Sequence, residues 1–277
     1  MNYFRIRVKR LHLYTPIRFV ADTLLRVEEA VATAYYSAFT RQGLMRYRRM
    51  QIRAYDGYTN SFEDAKRLCV GAFQEHERYP YEDYLMEHYK QPKDFALDFA
   101  CGIGRMMSRM LRQFDYVAGV DLNARNLGYA VQYLSEQGWE TQRYKLHQSD
   151  GVGVAITDGI KYNFIYSTIA LQHIAVHAIR RKIISDLRGL LAKDGQCCFQ
   201  MGFGWDNGVH WLDNRYAARS TNAGLDVCIP DHTHLPLIEK DLLSIGFSKV
   251  KFEIKDSPHP ELNIGYHTNW IFIHLWV

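Results

Sequence analysis

From residue 95 onwards, short apolar runs alternate with segments whose apolar residues recur every three or four positions. Runs too short for a helix predict strands, and the three-to-four spacing predicts amphipathic helices. The predicted strands cover 95–98, 116–120, 141–146, 162–169, 196–201, 249–255 and 270–277, and the predicted helices cover 105–113, 126–134, 179–191 and 237–245. This regular alternation predicts an α/β fold with a doubly wound, mostly parallel sheet.

The first 92 residues do not follow this rhythm, and we interpret them as a helical extension ahead of a core domain at 93–277. Apolar spacing predicts an amphipathic helix over 18–36. Ser61 and the acids after it predict the start of another helix that leads into 65–76, and a short helix is predicted over 81–89. A second irregular stretch, 203–235, is rich in Gly, Asn and Asp and predicts a lid or a substrate wall.

The first predicted strand ends in Asp98 and is followed by a glycine turn, 100–104, and then by a helix. The next strand ends in Asp121, whose carboxylate can accept hydrogen bonds from both hydroxyls of a ribose. The turn lacks the Lys-Ser or Lys-Thr pair of a Walker loop and the third glycine of a dinucleotide-binding turn. An acid just before the turn repels a pyrophosphate but suits an ammonium group.

This segment resembles the first motif of the class I S-adenosylmethionine-dependent methyltransferases, an acid followed by a G-x-G-x-G turn. Asp98 and the 100–104 turn match the motif, with Ala100 in place of the first glycine. The resemblance covers about 93–277 and implies a Rossmann-like fold, a final antiparallel strand pair and S-adenosyl-L-methionine as cofactor. The cofactor-binding residues that it implies are Asp98, Ala100, Gly102, Gly104, Arg105, Asp121, Leu122, Asp150, Gly151 and Ser167.

Asp150 follows the third predicted strand, where the family places an acid that accepts the exocyclic amine of adenine. The resemblance implies this role for Asp150 and puts the amide of Gly151 close to the ring. A simple Asp-Gly turn is the alternative interpretation.

His173 follows the fourth predicted strand, within a stretch that resembles the turn after this strand in many small-molecule methyltransferases. Ligands of open α/β sheets bind outside the carboxyl ends of the strands, so His173 is expected to line the pocket. Imidazole titrates near neutral pH and suits a general base for a hydroxyl acceptor. A histidine that only stabilises the turn is the alternative.

Aromatic and histidine side chains in the extension and in the 203–235 stretch are candidates for the substrate wall. Substrate contacts are expected from Tyr81, Trp205, His210, Trp211 and Tyr216, with His210 as the reserve general base. His232 and His234 suggest zinc, but they would project to opposite faces of an extended segment, and no third ligand has a recognisable spacing. No metal is therefore expected.

Charge separates the chain into two parts. Residues 1–53 carry eleven Lys and Arg against three Asp and Glu, while the whole chain has a net charge of +4. Such a basic arm can dock on an anionic membrane surface, on nucleic acid or on an acidic partner, or it can be a solvated helical face packed on the core. Five cysteines without framework spacing indicate a reducing compartment, and with no apolar run of membrane-spanning length or signal pattern the cytoplasm is expected.

Together these features predict an S-adenosylmethionine-dependent methyltransferase that acts on a small-molecule acceptor, with methylation at the oxygen of a sugar-like or phenolic hydroxyl. One alternative is RNA or protein methylation steered by the basic arm. Nucleic acid is the less favoured partner, because 167–170 does not resemble the Asn/Asp-Pro-Pro-aromatic motif of amino-methylating enzymes. A cofactor-binding scaffold without activity is the other alternative, and the oligomeric state is left open.

Overall fold

The computed structural model describes residues 27, 31, 45, 47–49, 51–52, 61–67, 69, 79–204, 208–214, 226–257 and 269–277. The strands are β1 (Phe95–Phe99), β2 (Tyr116–Asp121), β3 (Tyr144–Gln148), β4 (Tyr162–Thr168), β5 (Leu191–Phe203), β6 (Lys249–Asp256) and β7 (Asn269–Trp276). The helices are α1 (Phe62–Lys66), α2 (Tyr81–Leu85), α3 (Arg105–Met110), α4 (Ala124–Glu136), α5 (His177–Leu190) and α6 (Leu235–Ile245).

The seven strands form one sheet in the order β3-β2-β1-β4-β5-β7-β6. The first five strands in this order are parallel, whereas β7 runs antiparallel to both β5 and β6. The predicted fold class is therefore confirmed, including the antiparallel pair at the end of the chain. The chain changes direction across the sheet between β1 and β4, which places a crevice at the carboxyl ends of these two strands.

Helices cover both faces of the sheet, and each face has its own apolar core. On one face, α5 and α6 contribute side chains such as Ile183 and Leu242, while on the other face α3 contributes Met107. Cys197 and Cys198 are neighbours on β5, and each is buried in a different one of these two cores. Adjacent residues of a strand point to opposite faces of the sheet, as these two do, and all five cysteines are free thiols.

Several predicted boundaries differ from the observed ones. Residues Thr141–Arg143 form a 3-10 turn, so β3 starts three positions later than predicted. The guanidinium of Arg143 explains this turn, because it donates to the carbonyl oxygens of Leu111 and Phe114 and holds the segment against the end of α3. His232–His234 also forms a 3-10 turn and not an extended segment.

The N-terminal extension is only partly described. Ser61 caps α1 as predicted, since its hydroxyl accepts a hydrogen bond from the backbone amide of Asp64 at 3.1 Å. The helix predicted from residue 81 is shorter than expected and ends at Leu85. Most of the predicted 18–36 helix lies outside the described residues. Within the part of the chain that the structure describes, no helix is long and apolar enough to cross a membrane.

Candidate active site

Two adjoining cavities open at the carboxyl ends of β1, β2 and β4. The smaller cavity has a volume of about 270 Å³ and the larger one about 400 Å³. The residues that line both cavities, here called the waist, are Cys69, Ala100, Gly102, Thr168 and Ile169. Because the waist joins the cavities, they form one crevice at the position where an open α/β sheet binds its ligands.

The turn after β1 is built from left-handed backbone. Ala100, Gly102 and Gly104 have φ angles of 61°, 54° and 84°. A β-carbon built on Gly102 would meet nothing within 4 Å, so the backbone of this turn faces open space. Ala100 occupies a conformation that costs an L-residue about 1–2 kcal/mol, which explains why a glycine is the ordinary residue at its position in the motif.

Asp121 connects the end of β2 to this turn. Its Oδ2 accepts a hydrogen bond from the amide of Gly102 at 2.9 Å, and its Oδ1 accepts one from the amide of Asn123 at 2.8 Å. Burial raises the pKa of this carboxyl group, although the hydrogen bonds from these amides act in the opposite direction. The side chain of Asn126 and the amide of Leu122 also hydrogen-bond to this carboxyl group. Since Asp121 lines the smaller cavity together with Leu122, its carboxylate is a suitable acceptor for the hydroxyls of a ligand.

Asp98, at the end of β1, lines the larger cavity and is only 2% exposed. Among the described residues, its Oδ2 has no hydrogen-bond partner of good geometry, and neither has the neighbouring hydroxyl of Tyr166. Burial raises the pKa of Asp98 well above its ordinary value, while the charge of Arg105 lowers it. The hydroxyl of Tyr166 also acts against burial, but the net effect is still unfavourable for the charged form, so a ligand that supplies a positive charge or a donor would stabilise this carboxylate. Asp98 therefore fits the ammonium group of a ligand.

The segment after β3 also reaches the smaller cavity, through Ser149 and Gly151. The intervening Asp150 does not line either cavity, because its Oδ1 accepts hydrogen bonds from the amides of Val152 and Gly153, both at 2.9 Å. The Asp150 carboxylate therefore stabilises a local turn, as in the alternative interpretation of this segment. It brings the hydroxyl of Ser149 and the backbone of Gly151 to the cavity instead.

Residues 96–195 match the protein family described as "Methyltransferase domain". This segment of the chain carries a methyltransferase domain. The family assignment agrees with the resemblance of the 98–104 motif and with the sheet order. No curated protein sequence matches this methyltransferase.

Solved structures share the fold at low sequence identity. The N-methyltransferase NodS from Bradyrhizobium japonicum WM9, in complex with S-adenosyl-l-homocysteine, is 12% identical with a TM-score of 0.51, over 76% of this chain and 90% of NodS. A SAM-dependent methyltransferase from Aquifex aeolicus is 12% identical with a TM-score of 0.52, over 79% of this chain and 100% of that one. The [4+2]-cyclase SpnF is 13% identical with a TM-score of 0.54, over 71% and 80% of the two chains. Identities this low establish a shared fold and leave the acceptor open.

His173 of the methyltransferase ends a 3-10 turn after β4 and lines the smaller cavity. Its Nδ1 lies 2.9 Å from Oδ1 of Asp226, and these side chains are 26% and 16% exposed. The turn is held in place by the amide of Val227, which donates to the carbonyl oxygen of Gln172 at 2.7 Å. The segment that carries Asp226 is therefore bonded to the histidine turn through both its backbone and its side chain.

Part of the N-terminal extension closes the smaller cavity. Tyr47, Gln51 and Cys69 line it, and the first two are buried. The side-chain Nε2 of Gln51 donates to the hydroxyl oxygen of Tyr47 at 2.9 Å and to the carbonyl oxygen of His173 at 3.2 Å. The extension thus contacts the candidate base directly. Sequence reasoning did not single out these residues, since nothing in their spacing relates them to a turn more than 100 positions away.

Two predicted cofactor residues support the crevice from behind. Ser167 is 1% exposed, and its hydroxyl donates to the carbonyl oxygen of Phe99 at 2.8 Å, so it links β4 to β1. A β-carbon on Gly104 would lie 3.4 Å from the side chain of Leu134, so this glycine permits close packing of α4. Neither residue lines a cavity, whereas the predicted Arg105 lines the larger one.

Most of the predicted substrate contacts do not reach the cavities. Tyr81 is fully buried, with the guanidinium of Arg105 5.2 Å from its ring centroid. Trp211 is 4% exposed, and its indole N–H donates to Asp241 at 2.8 Å. His210 is exposed and stacks on His234. A direct substrate contact does not fit Tyr81, Trp211 or His210 in this structure. The remaining two candidates, Trp205 and Tyr216, lie outside the described residues.

One group of possible metal ligands is separate from the residues that line the crevice. Within the described residues, the ligand atoms of Glu87, His88 and Glu253 lie within 4.8 Å of one another. Lys251 and Lys255 already neutralise these carboxylates, with Nζ–O distances of 2.7 Å to Glu253 and 2.8 Å to Glu87. The ammonium groups occupy the place that a cation would take.

Proposed function

We propose that this methyltransferase transfers a methyl group to a hydroxyl of a small, neutral molecule, sugar-like or phenolic, with His173 as the general base. The observation that carries the proposal is the His173–Asp226 pair, 2.9 Å apart, in the wall of the cavity that Asp121 and Gly102 also line. A base and a nucleoside-binding carboxylate in one small cavity suit an acceptor that is activated next to the donor.

The residues around the crevice fit S-adenosyl-L-methionine. Asp121 would accept the ribose hydroxyls, the turn at Gly102 would lie against the amino-acid part, and Asp98 would neutralise its ammonium group. Ser149 and Gly151 would lie beside the adenine. When bound, the cofactor supplies a sulfonium methyl group that is already electrophilic, so the protein has to orient the acceptor, exclude water and remove a proton.

Asp226 fixes the state of the imidazole that removes this proton. A carboxylate accepts hydrogen bonds, so Nδ1 of His173 carries its proton toward Asp226 and Nε2 has the basic lone pair. As the new bond to the acceptor oxygen forms, the hydroxyl proton moves to Nε2, and the imidazolium is stabilised by the negative charge of Asp226.

The lining of the smaller cavity favours a small neutral acceptor. Apart from Asp121 and His173, its described lining is uncharged, and much of it is apolar, including Phe99, Ile174 and Ile183. A phosphorylated or carboxylated acceptor would find no Lys or Arg among these lining residues. We assign residues 1–92 as a cap, in keeping with the contacts of Tyr47 and Gln51, and 93–277 as the catalytic domain.

A panel of neutral sugars, phenols and amines tests the proposal, with S-adenosylhomocysteine release and product mass as readouts. We expect hydroxyl compounds to be methylated and His173→Gln to lower kcat by about 10²–10⁴ while cofactor binding is retained. His210→Gln is the matched control, since His210 is exposed and away from both cavities. Methylation of amines alone, or full activity of His173→Gln, would contradict the proposal.

A further inference from the structure

Gln51 presents a fixed hydrogen-bond acceptor to the smaller cavity. Its carboxamide nitrogen has two hydrogens, and two acceptors use them: the hydroxyl oxygen of Tyr47 at 2.9 Å and the carbonyl oxygen of His173 at 3.2 Å. The amide plane is therefore held at both donors, and the orientation of the opposite atom, Oε1, is determined with it. The whole residue is 9% exposed, so its side chain has little freedom to turn away.

Oε1 of Gln51 is the part of this amide that remains for a ligand. Within the described residues, no donor bonds to it. Oε1 is also not among the fully inaccessible polar atoms without a partner, so it is accessible from outside the protein. The space that Gln51 lines is the smaller cavity. An open carbonyl oxygen held rigidly in the wall of an otherwise apolar cavity is suited to accept a hydrogen bond from an O–H or N–H group of the ligand.

We infer that Gln51 is a specificity-determining residue that selects acceptors with a second hydroxyl in addition to the one that is methylated, as in a catechol or a sugar. This inference rests on the proposed O-methylation at His173. One hydroxyl donates its proton to the imidazole, and a second hydroxyl donates a hydrogen bond to Oε1 of Gln51.

Gln51 and the proposed base lie in the wall of the same small cavity. The amide of Gln51 is bonded to the backbone of His173, so the two residues are in direct contact. A small ligand that satisfies both the imidazole and Oε1 needs two hydrogen-bond donors. A compound with a single hydroxyl still reaches the base. It displaces the water from Oε1 without replacing the hydrogen bond that this water donated, and so it is bound less well.

Matched pairs of acceptors test this inference: catechol against phenol, and a methyl hexopyranoside against its monodeoxy analogue. For each pair, kcat/KM is measured at saturating S-adenosylmethionine with wild type, Gln51→Met and the exposed control Gln113→Met. We expect wild type and Gln113→Met to prefer the diol by about tenfold, the value of one neutral hydrogen bond. Gln51→Met should lose this preference, because it lowers kcat/KM of the diol by a larger factor than kcat/KM of the single-hydroxyl compound.

Other results have separate meanings. If wild type methylates both members of each pair equally well, or if Gln51→Met lowers both rates by the same factor, Gln51 has only a structural role and the inference is wrong while the proposed function stands. If wild type binds S-adenosylhomocysteine and methylates no hydroxyl compound, the proposed function fails and the inference with it. Gln51→Leu, checked by the same binding measurement, replaces Gln51→Met if that variant does not fold.

Discussion

Replacing Asp226 by Asn tests the role of the His173–Asp226 pair most sharply. Asparagine keeps the size of the side chain and an oxygen that can accept the Nδ1 proton, but it removes the negative charge. The 2.9 Å contact and the anchoring of the turn can therefore persist, while the charge that stabilises an imidazolium is lost.

The expected loss follows from the geometry. Two unit charges about 4 Å apart interact by about 4 kcal/mol at an effective dielectric constant of about 20. The side chains are 26% and 16% exposed, so water screens part of this interaction. The proton is also only partly transferred in the transition state. We therefore expect Asp226→Asn to raise the activation free energy by about 1.4–2.7 kcal/mol, which lowers kcat by about tenfold to a hundredfold.

The assay measures kcat at saturating cofactor, with any hydroxyl acceptor that the panel identifies, and measures S-adenosylhomocysteine affinity in parallel. The matched control is Asp231→Asn, since Asp231 pairs with His234 at 3.1 Å in the same part of the chain but lines neither cavity. We expect the control to be unaffected and both variants to bind the cofactor product normally. If Asp226→Asn keeps kcat within about twofold of wild type, the carboxylate does not assist His173 and the reasoning is wrong.

Three further predictions concern stability and are checked by urea unfolding. Burial opposes ionisation of Asp241, but hydrogen bonds from His177 and a tryptophan indole lower its pKa to about 2. A depressed pKa contributes stability above the unfolded-state value near 4 that is lost as pH falls through about 2, so Asp241→Asn should cost about 2 kcal/mol at neutral pH and about half of that at about pH 3. Ile169 has a φ of 59°, so Ile169→Gly should be more stable than Ile169→Ala by about 1 kcal/mol, and the reverse order would refute backbone strain. A β-carbon on Gly119 would overlap a buried methionine sulfur, so Gly119→Ala should destabilise by about 1–3 kcal/mol, and an unchanged midpoint would contradict this packing.

The parts of the site that could be predicted from the sequence are local in the chain. Asp98, the glycine turn and Asp121 lie within one strand-turn-helix-strand unit, and backbone geometry brings such a unit together whatever the rest of the fold does. His173 could be placed at the crevice for a similar reason, because it directly follows a strand whose carboxyl end faces the ligand.

The contacts that complete the site are not local. Asp226 is 53 positions from His173, and Gln51 is 122 positions away, so their meeting depends on tertiary packing that no spacing rule describes. Aromatic residues were misassigned for a related reason. Tyr81 and Trp211 suit a substrate wall and a core equally well by composition, and only the packing of Arg105 and Asp241 against them shows that they are core residues.

The central claim is that the donor binds at the carboxyl ends of β1 and β2, with Asp121 as a direct partner. Calorimetric titration of S-adenosylhomocysteine into wild type, Asp121→Ala and the exposed control Asp115→Ala tests it most directly. Two hydrogen bonds to a charged acceptor are worth at least about 2 kcal/mol, which corresponds to about thirtyfold in affinity. We therefore predict a Kd of about 1 μM for wild type and the control, and a Kd at least about thirtyfold higher for Asp121→Ala. A folded wild type that does not bind, or an Asp121→Ala variant that binds as tightly as wild type, would contradict the account.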